Sequence, residues 1–256
     1  MKSVNNFVFG VNPVVEILRA SPDKVAEIVL ADGPLRSILQ SIDAEARRLG
    51  VKVTYANQKI LNRLAANDKH QGVVAKIAPY AYSPLSDLFL DDAAVASADW
   101  ILILDGVTDP RNFGALLRTA EAVGIRRVVI PKDRSVDVTP TVAKVSAGAV
   151  HHLKVYRVTN LRRAMVTLKE HGYWLVGLDD HAPEQIYDRV YQDRLGIVLG
   201  SEGRGIRPLI LRECDYRVSI PMLGKVSSLN VAVAGAVFLY EILRQKRSID
   251  KVGVKR

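Results

Sequence analysis

Gly200 and Gly205, in the run LGSEGRGIRP (199–208), have the spacing of a phosphate-binding P-loop. Ile206 stands where the lysine of such a loop must be, so no cation is placed to neutralise a triphosphate. The dinucleotide pattern G-x-G-x-x-G, started at Gly203 and Gly205, meets Pro208 where its third glycine belongs. Neither ATP nor NAD chemistry is supported, and a dehydrogenase reading fails with the fingerprint. Two further runs share the texture of glycine and polar residues: DGVTDPRNFGALLRTAEAVG (105–124) and IPMLGKVSSLNVAVAGA (220–236). Such loops expose backbone amides and let a ligand approach the main chain closely. Taken singly, their polar side chains have plain readings. Asn112 is a helix cap, Arg118 a solvated helix charge and Glu202 a loop acid. Ser228 and Asn230 either cap the last helix or act directly on a substrate. Asp105 and Asp109 lack a third ligand at metal-binding spacing and read as turn residues. His70, His151 and His152 read as packing or partner-facing residues rather than ligands, and the single cysteine, Cys214, as a small buried apolar group.

Each of these loops must be held by a strand before it and a helix after it. Trp100 to Leu104 (WILIL) is a continuous apolar run, as expected of a strand covered on both faces. A helix over Phe113–Val123 follows, stopped by Gly124, and then a strand over Val128–Ile130. Further strands are expected over Val155–Val158, Trp174–Leu178, Gly196–Leu199 and Val218–Ile220. A helix runs over Leu161–His171 behind the Asn160 cap, and an apolar helix runs from Leu229 onward. This alternation implies a doubly wound, mainly parallel sheet, with its ligand crevice beyond the strands' carboxyl ends.

The first 78 residues form a smaller α/β unit. Asn12-Pro13 starts a helix through about Arg19, followed by a strand over Glu27–Ala31 and a helix over Pro34–Leu49 stopped by Gly50. A strand over Val51–Tyr55, a helix from the Asn57 cap through Leu64 and a strand over Gly72–Ile77 complete it. Residues 79–99, broken by Pro79, Ser83 and Pro84, read as a linker with one short helix over Pro84–Leu90. Residues 100–247 make the second domain, and 248–256 a basic tail.

The composition sets the partners. Of the 256 residues 48% are hydrophobic and 25% charged, which excludes a disordered or fibrous chain. Thirty-six lysines and arginines against 27 acids give a net charge of +9, pointing to a polyanion, nucleic acid before membrane. A lone cysteine excludes a disulfide framework and suits a reducing compartment. The start, MKSVNNFVFG, has no apolar signal region. The most apolar stretch, Val231–Leu243, falls short of the roughly 20 residues that a membrane span needs and carries Glu241. The expectation is a cytoplasmic protein with no membrane partner and no metal.

Together the three runs resemble the signature of the SpoU-type RNA ribose 2′-O-methyltransferases. The motifs stand here as Asn112-Phe113-Gly114 with Arg118-Thr119-Ala120, as Gly200-Ser201-Glu202-Gly203-Arg204-Gly205, and as Ile220-Pro221-Met222 with Ser228-Leu229-Asn230. FGVNPVVEIL and KHQGVVA in the first unit are similar to the substrate-binding domain of enzymes that methylate a guanosine of bacterial large-subunit (23S) ribosomal RNA. The resemblance implies an L30e-like RNA-binding domain and a catalytic domain with a C-terminal trefoil knot. It further implies S-adenosylmethionine held near Gly200, Ile220 and Leu229, a homodimer, and ribosomal RNA as partner. It implies Arg118 as the base. A guanidinium stays protonated in proteins, so the preferred role for Arg118 is binding the RNA phosphate and ribose. Asn112 would orient Arg118 or the ribose, Glu202 would pair with Arg118, and Ser228 and Asn230 would position the loop and the hydroxyl. A transfer-RNA ribose methyltransferase and a non-catalytic RNA-binding assembly protein are the alternatives on the same scaffold.

Overall fold

The computed structural model describes residues 7–65, 68–89, 99–226 and 228–253, and the chain divides into two compact units, Met1–Ala81 and Tyr82–Arg256. The first unit runs β1 (Phe7–Phe9), α1 (Val11–Ala20), β2 (Val25–Ala31), α2 (Ser37–Arg48), β3 (Lys52–Ala56), α3 (Gln58–Ala65) and β4 (Val73–Ile77). Its four strands lie in the order β1-β4-β2-β3, with β2 and β3 parallel and the other pairs antiparallel. Alternation along β2 sends Ile28 and Leu30 into one core with Val14, Leu18, Ile42 and Ala46, and Val29 into the other with Leu61, Ala65 and Val74. Helices α1 and α2 thus cover one face and α3 the other.

Three elements of this unit depart from the sequence expectation, α2 by starting at Ser37 rather than Pro34. Strand β1 pairs Phe7 with Lys76 and Phe9 with Val74, and three residues are too few to show a period. Helix α1 begins at Val11, so Asn12 is not its cap. Gly10 precedes it at φ 92, and the Gln71 side chain accepts the Val11 N–H at 2.9 Å. The cap therefore arrives from the far end of the unit. Beside it, buried His70 accepts the Gly72 N–H on Nδ1 at 3.0 Å, so Nε2 carries the proton and donates to Asn62 Oδ1 at 2.8 Å. Both N-terminal motifs close this turn.

The second unit contains β5 (Asp99–Leu104), α4 (Pro110–Ala122), β6 (Arg127–Pro131), α5 (Pro140–Val145), β7 (Lys154–Val158), α6 (Leu161–Glu170), β8 (Trp174–Leu178), β9 (Glu184–Gln185), β10 (Arg194–Leu199), α7 (Pro208–Leu211), β11 (Tyr216–Ser219) and α8 (Val231–Gly253). The seven strands form one sheet in the order β7-β6-β5-β10-β8-β11-β9, and every pairing is parallel. Every residue of β5 and β6 is buried, as the apolar runs require. The short helix expected over Pro84–Leu90 is a 3₁₀ helix at Leu85–Phe89, and Leu90 lies outside the described residues. Helix α4 starts three residues before the expected Phe113, because Asp109 caps it by accepting the Arg111 N–H at 2.8 Å and Pro110 takes its first position.

Candidate active site

The strand order reverses between β5 and β10: β6 and β7 extend one way, and β8, β11 and β9 the other. A crevice opens at such a switch point, outside the carboxyl ends. Leu104 is in register with Leu199, so the Asp105 and Gly200 loops leave the sheet side by side.

Asp105 ties them. It is buried, and its carboxylate takes the Arg207 N–H at 2.8 Å and the Arg207 guanidinium at 2.6–2.7 Å, while its own N–H donates to Leu199 O at 2.8 Å. The Gly200 loop is a closed turn, with Ser201 and Gly205 exchanging two backbone hydrogen bonds of 2.9 Å. The turn lies so close over Gly200 that a Cβ there would sit 2.0 Å from the Gly205 carbonyl carbon. Only glycine fits. Helix α8 is seated in the same way: a Cβ on Gly235 would lie 2.5 Å from Leu116 of α4 and 2.8 Å from Leu199 of β10. The motif glycine Gly114 serves packing too, since its Cβ would meet Val145 of α5 at 2.8 Å.

These approaches bring three distant side chains into one cluster. Asn112 Nδ2 donates to Glu202 Oε2 at 2.8 Å; Asn230 Nδ2 donates to Asn112 Oδ1 at 3.0 Å and to Glu202 Oε1 at 3.2 Å. Asn230 Oδ1 also accepts the Ala232 and Val233 N–H groups at 2.9 and 3.4 Å, capping α8. Each amide has its oxygen accepting and its nitrogen donating, so the network fixes both orientations. Glu202 accepts from both amides, one on each carboxylate oxygen.

Not every expected partner joins. Glu202 does not pair with Arg118; its two oxygens accept from the Asn112 and Asn230 amides. Asn112 neither caps α4 nor bonds to Arg118. Arg118 is exposed and its side chain forms no hydrogen bond or ion pair among the described residues. Ser228 is exposed and likewise unbonded among them, so Asn230 alone caps α8. Ile220 follows β11 directly and is half-buried; Leu229, just before the cap, is exposed. Asp109 and Asp105 hold turns, and among the described residues no group of three or more His, Cys, Asp or Glu could hold a metal ion. Cys214 is half-buried, and burial pushes its thiol up to about 12. The Asp105–Arg207 tie had no signal in the sequence: its partners meet only because β5 and β10 are neighbours.

The fold and cluster define an α/β protein of the open parallel-sheet class, with a switch-point crevice built from three glycine-containing loops and no nucleotide fingerprint. The chain belongs to the SpoU rRNA Methylase family, whose model matches residues 99–240, all three loops included. A second model, RNA 2′-O ribose methyltransferase substrate binding, matches residues 7–83. The chain is 40% identical to the 23S rRNA (guanosine-2′-O-)-methyltransferase RlmB of Shewanella oneidensis over 95% of its length and 98% of that protein. It is 38% identical to RlmB of Escherichia coli K12, over 95% and 100%. Among solved structures it is similar to the SpoU methyltransferase AviRb of Streptomyces viridochromogenes, at 26% identity and a TM-score of 0.71, over 94% of this chain and 90% of that one. AviRb has also been solved in complex with the cofactor AdoMet.

Proposed function

We propose that this protein transfers a methyl group from S-adenosylmethionine to the ribose 2′-oxygen of a guanosine in large-subunit (23S) ribosomal RNA. The hydrogen-bonded cluster of Asn112, Glu202 and Asn230 carries the reading, supported by near-full-length similarity to the RlmB proteins.

The residues at the crevice fit the cofactor. The Gly200 turn offers main-chain groups, and exposed Met222, Leu223 and Leu229 offer apolar surface that an adenine ring would cover. Gly200, Ile220 and Leu229 would hold it. When bound, it supplies a methyl carbon activated by a sulfonium. The protein must align a ribose hydroxyl with that carbon and lower the cost of losing the hydroxyl proton. Unpaired Arg118 is free to grip the RNA phosphate and ribose as a forked cation, the phosphate or water assisting proton removal. Asn112 and Asn230 position the rim through Glu202, whose negative charge suits a cationic cofactor. Ser228 contacts the ribose hydroxyl or the loop beside it.

The reading extends to a C-terminal trefoil knot, a homodimer and a cytoplasmic site of action, each supported by the family. No helix of the described residues is long and apolar enough to cross a membrane. It also assigns 1–78 to RNA selection, 79–99 to a linker, 100–247 to catalysis and 248–256 to a basic tail; family models matching 7–83 and 99–240 support the two domains, whereas Asp99 already belongs to β5 and α8 continues to Gly253. Removing 1–78 is expected to spare cofactor binding and abolish RNA methylation. The deciding experiment incubates purified protein with labelled S-adenosylmethionine and unmodified 23S ribosomal RNA, then maps the label. A ribose-methylated guanosine is expected; label on a base, on transfer RNA alone or on nothing overturns the reading.

A further inference from the structure

Beside the three-loop crevice, on the same carboxyl edge of the sheet, lies a second cleft of about 820 Å³. It opens over the ends of β6 and β7 and is walled by the segment Arg207–Ile210. Three guanidiniums line it, those of Arg134, Arg162 and Arg207, against one carboxylate, Asp133. Two are already committed: Arg162 pairs with Glu213 at 2.6 Å and Arg207 with Asp105. Arg134 is exposed, and its side chain has no hydrogen bond or ion pair among the described residues.

Arg134 is also held in an unfavourable conformation. Its φ is +59°, the left-handed region that a long side chain rarely adopts. The loop around it is pinned to the reaction side of the sheet. Val136 N–H donates to Val107 O at 3.1 Å, and the Arg134 carbonyl lies 3.7 Å from where a Cβ on Gly106 would be. Arg207 belongs to both places, since its guanidinium lines the cleft while bonding Asp105 at the switch point. The cleft and the crevice therefore share a wall. Next to the cation is apolar surface: Pro208, and Leu209 at 61% exposure. A free guanidinium beside an exposed apolar shelf, in a space large enough for a nucleotide, matches one phosphate and one base of a nucleic-acid strand.

We propose that this cleft receives a nucleotide flanking the methylated one, its phosphate on Arg134 and its base over Pro208 and Leu209. The proposal rests on the RNA methylation reading and adds to it where the strand continues past the reacting ribose. Arg162 and Arg207, held by Glu213 and Asp105, contribute a positive wall without being drawn onto a single phosphate.

The test uses full-length protein and transcribed, unmodified 23S ribosomal RNA. Arg134→Gly removes the cation while suiting the left-handed backbone, so thermal unfolding should not fall. Its RNA affinity should drop roughly tenfold, the loss of one charge-assisted contact. The slope of log affinity against log salt should shrink by about one. Arg134→Lys should restore most of both, and Leu209→Ala should weaken RNA without changing the salt slope. S-adenosylmethionine affinity, measured by calorimetry, should be unmoved in all three. Affinity and slope equal to wild type in Arg134→Gly would overturn the subsite while leaving the methylation reading intact. Cleft-dependent RNA binding by a wild-type protein that transfers no methyl group would support the subsite and overturn that reading instead.

Discussion

The two edges of the seven-stranded sheet carry polar clusters of opposite kind. On the amino edge, Asp99 at the start of β5 pairs with Arg127 at the start of β6, accepts the Tyr173 hydroxyl and lies 3.6 Å from Arg194 at the start of β10. Asp99 is 3% exposed and Arg127 9%. On the carboxyl edge, Asn112, Glu202 and Asn230 join three loops by the same kind of bond, yet Glu202 and Asn230 are exposed. The difference lies in what each cluster can still meet. A buried pair has exchanged water for a single partner set, so it holds strand ends together and does nothing else. An exposed cluster is ordered without being sealed, and it stands ready for a ligand.

The sharpest way to break this contrast is Asp99→Ala. It leaves a buried guanidinium uncompensated, and a loss of about 3–5 kcal/mol in chemical unfolding is expected; a loss below about 1 kcal/mol would put the amino edge in the same category as the carboxyl edge. Arg118→Ala should do the reverse: unfolding unchanged within about 0.5 kcal/mol, because the side chain is exposed and unbonded, but methyl transfer slowed by about 100-fold or more. Arg118→Lys sharpens its role. Weakened RNA binding with an unshifted single-turnover pH profile marks a gripping residue, whereas intact binding with a shifted profile marks a base. Glu202→Gln swaps two charge-assisted acceptors for one neutral oxygen and a misplaced donor. About a tenfold loss of transfer is expected, with a stability change smaller than that of Asp99→Ala.

The smallest effect is in the first unit. Burial lowers the pKa of His70, whose neutral ring accepts the Gly72 N–H. The unfolded chain takes up the proton first as pH falls through about 6.5, so stability present above that value is lost progressively toward the lower folded pKa. Urea unfolding at pH 7.5 and 5.5 should show the drop, and His70→Gln should flatten it.

Much of this was legible in the chain. The apolar run 100–104 is a buried central strand, Asn160 caps α6 by accepting the Arg163 N–H at 3.0 Å, and Gly50 ends α2 at φ 73. All are local: periodicity, a cap, a positive φ. The misses are of another kind. Asn112 looked like a cap because a helix begins nearby, yet Asp109 holds that place. Glu202 looked like a partner for Arg118 because opposite charges attract, yet its oxygens meet the Asn112 and Asn230 amides, which come from the two other runs. Gln71 caps α1 from across its unit, and nothing near Val11 announces it.

The sequence by itself determined the alternation of strands and helices, the three loops and their kinship, since these depend on the order and spacing of residues along one stretch of chain. Only the tertiary structure decided which side chains meet. The reversal of strand order between β5 and β10 sets Asp105 beside Gly200, and the close seats of Gly200 and Gly235 let three loops converge on one carboxylate. Hydrogen bonds act over about 3 Å. Chain order carries no such distance until the sheet has folded.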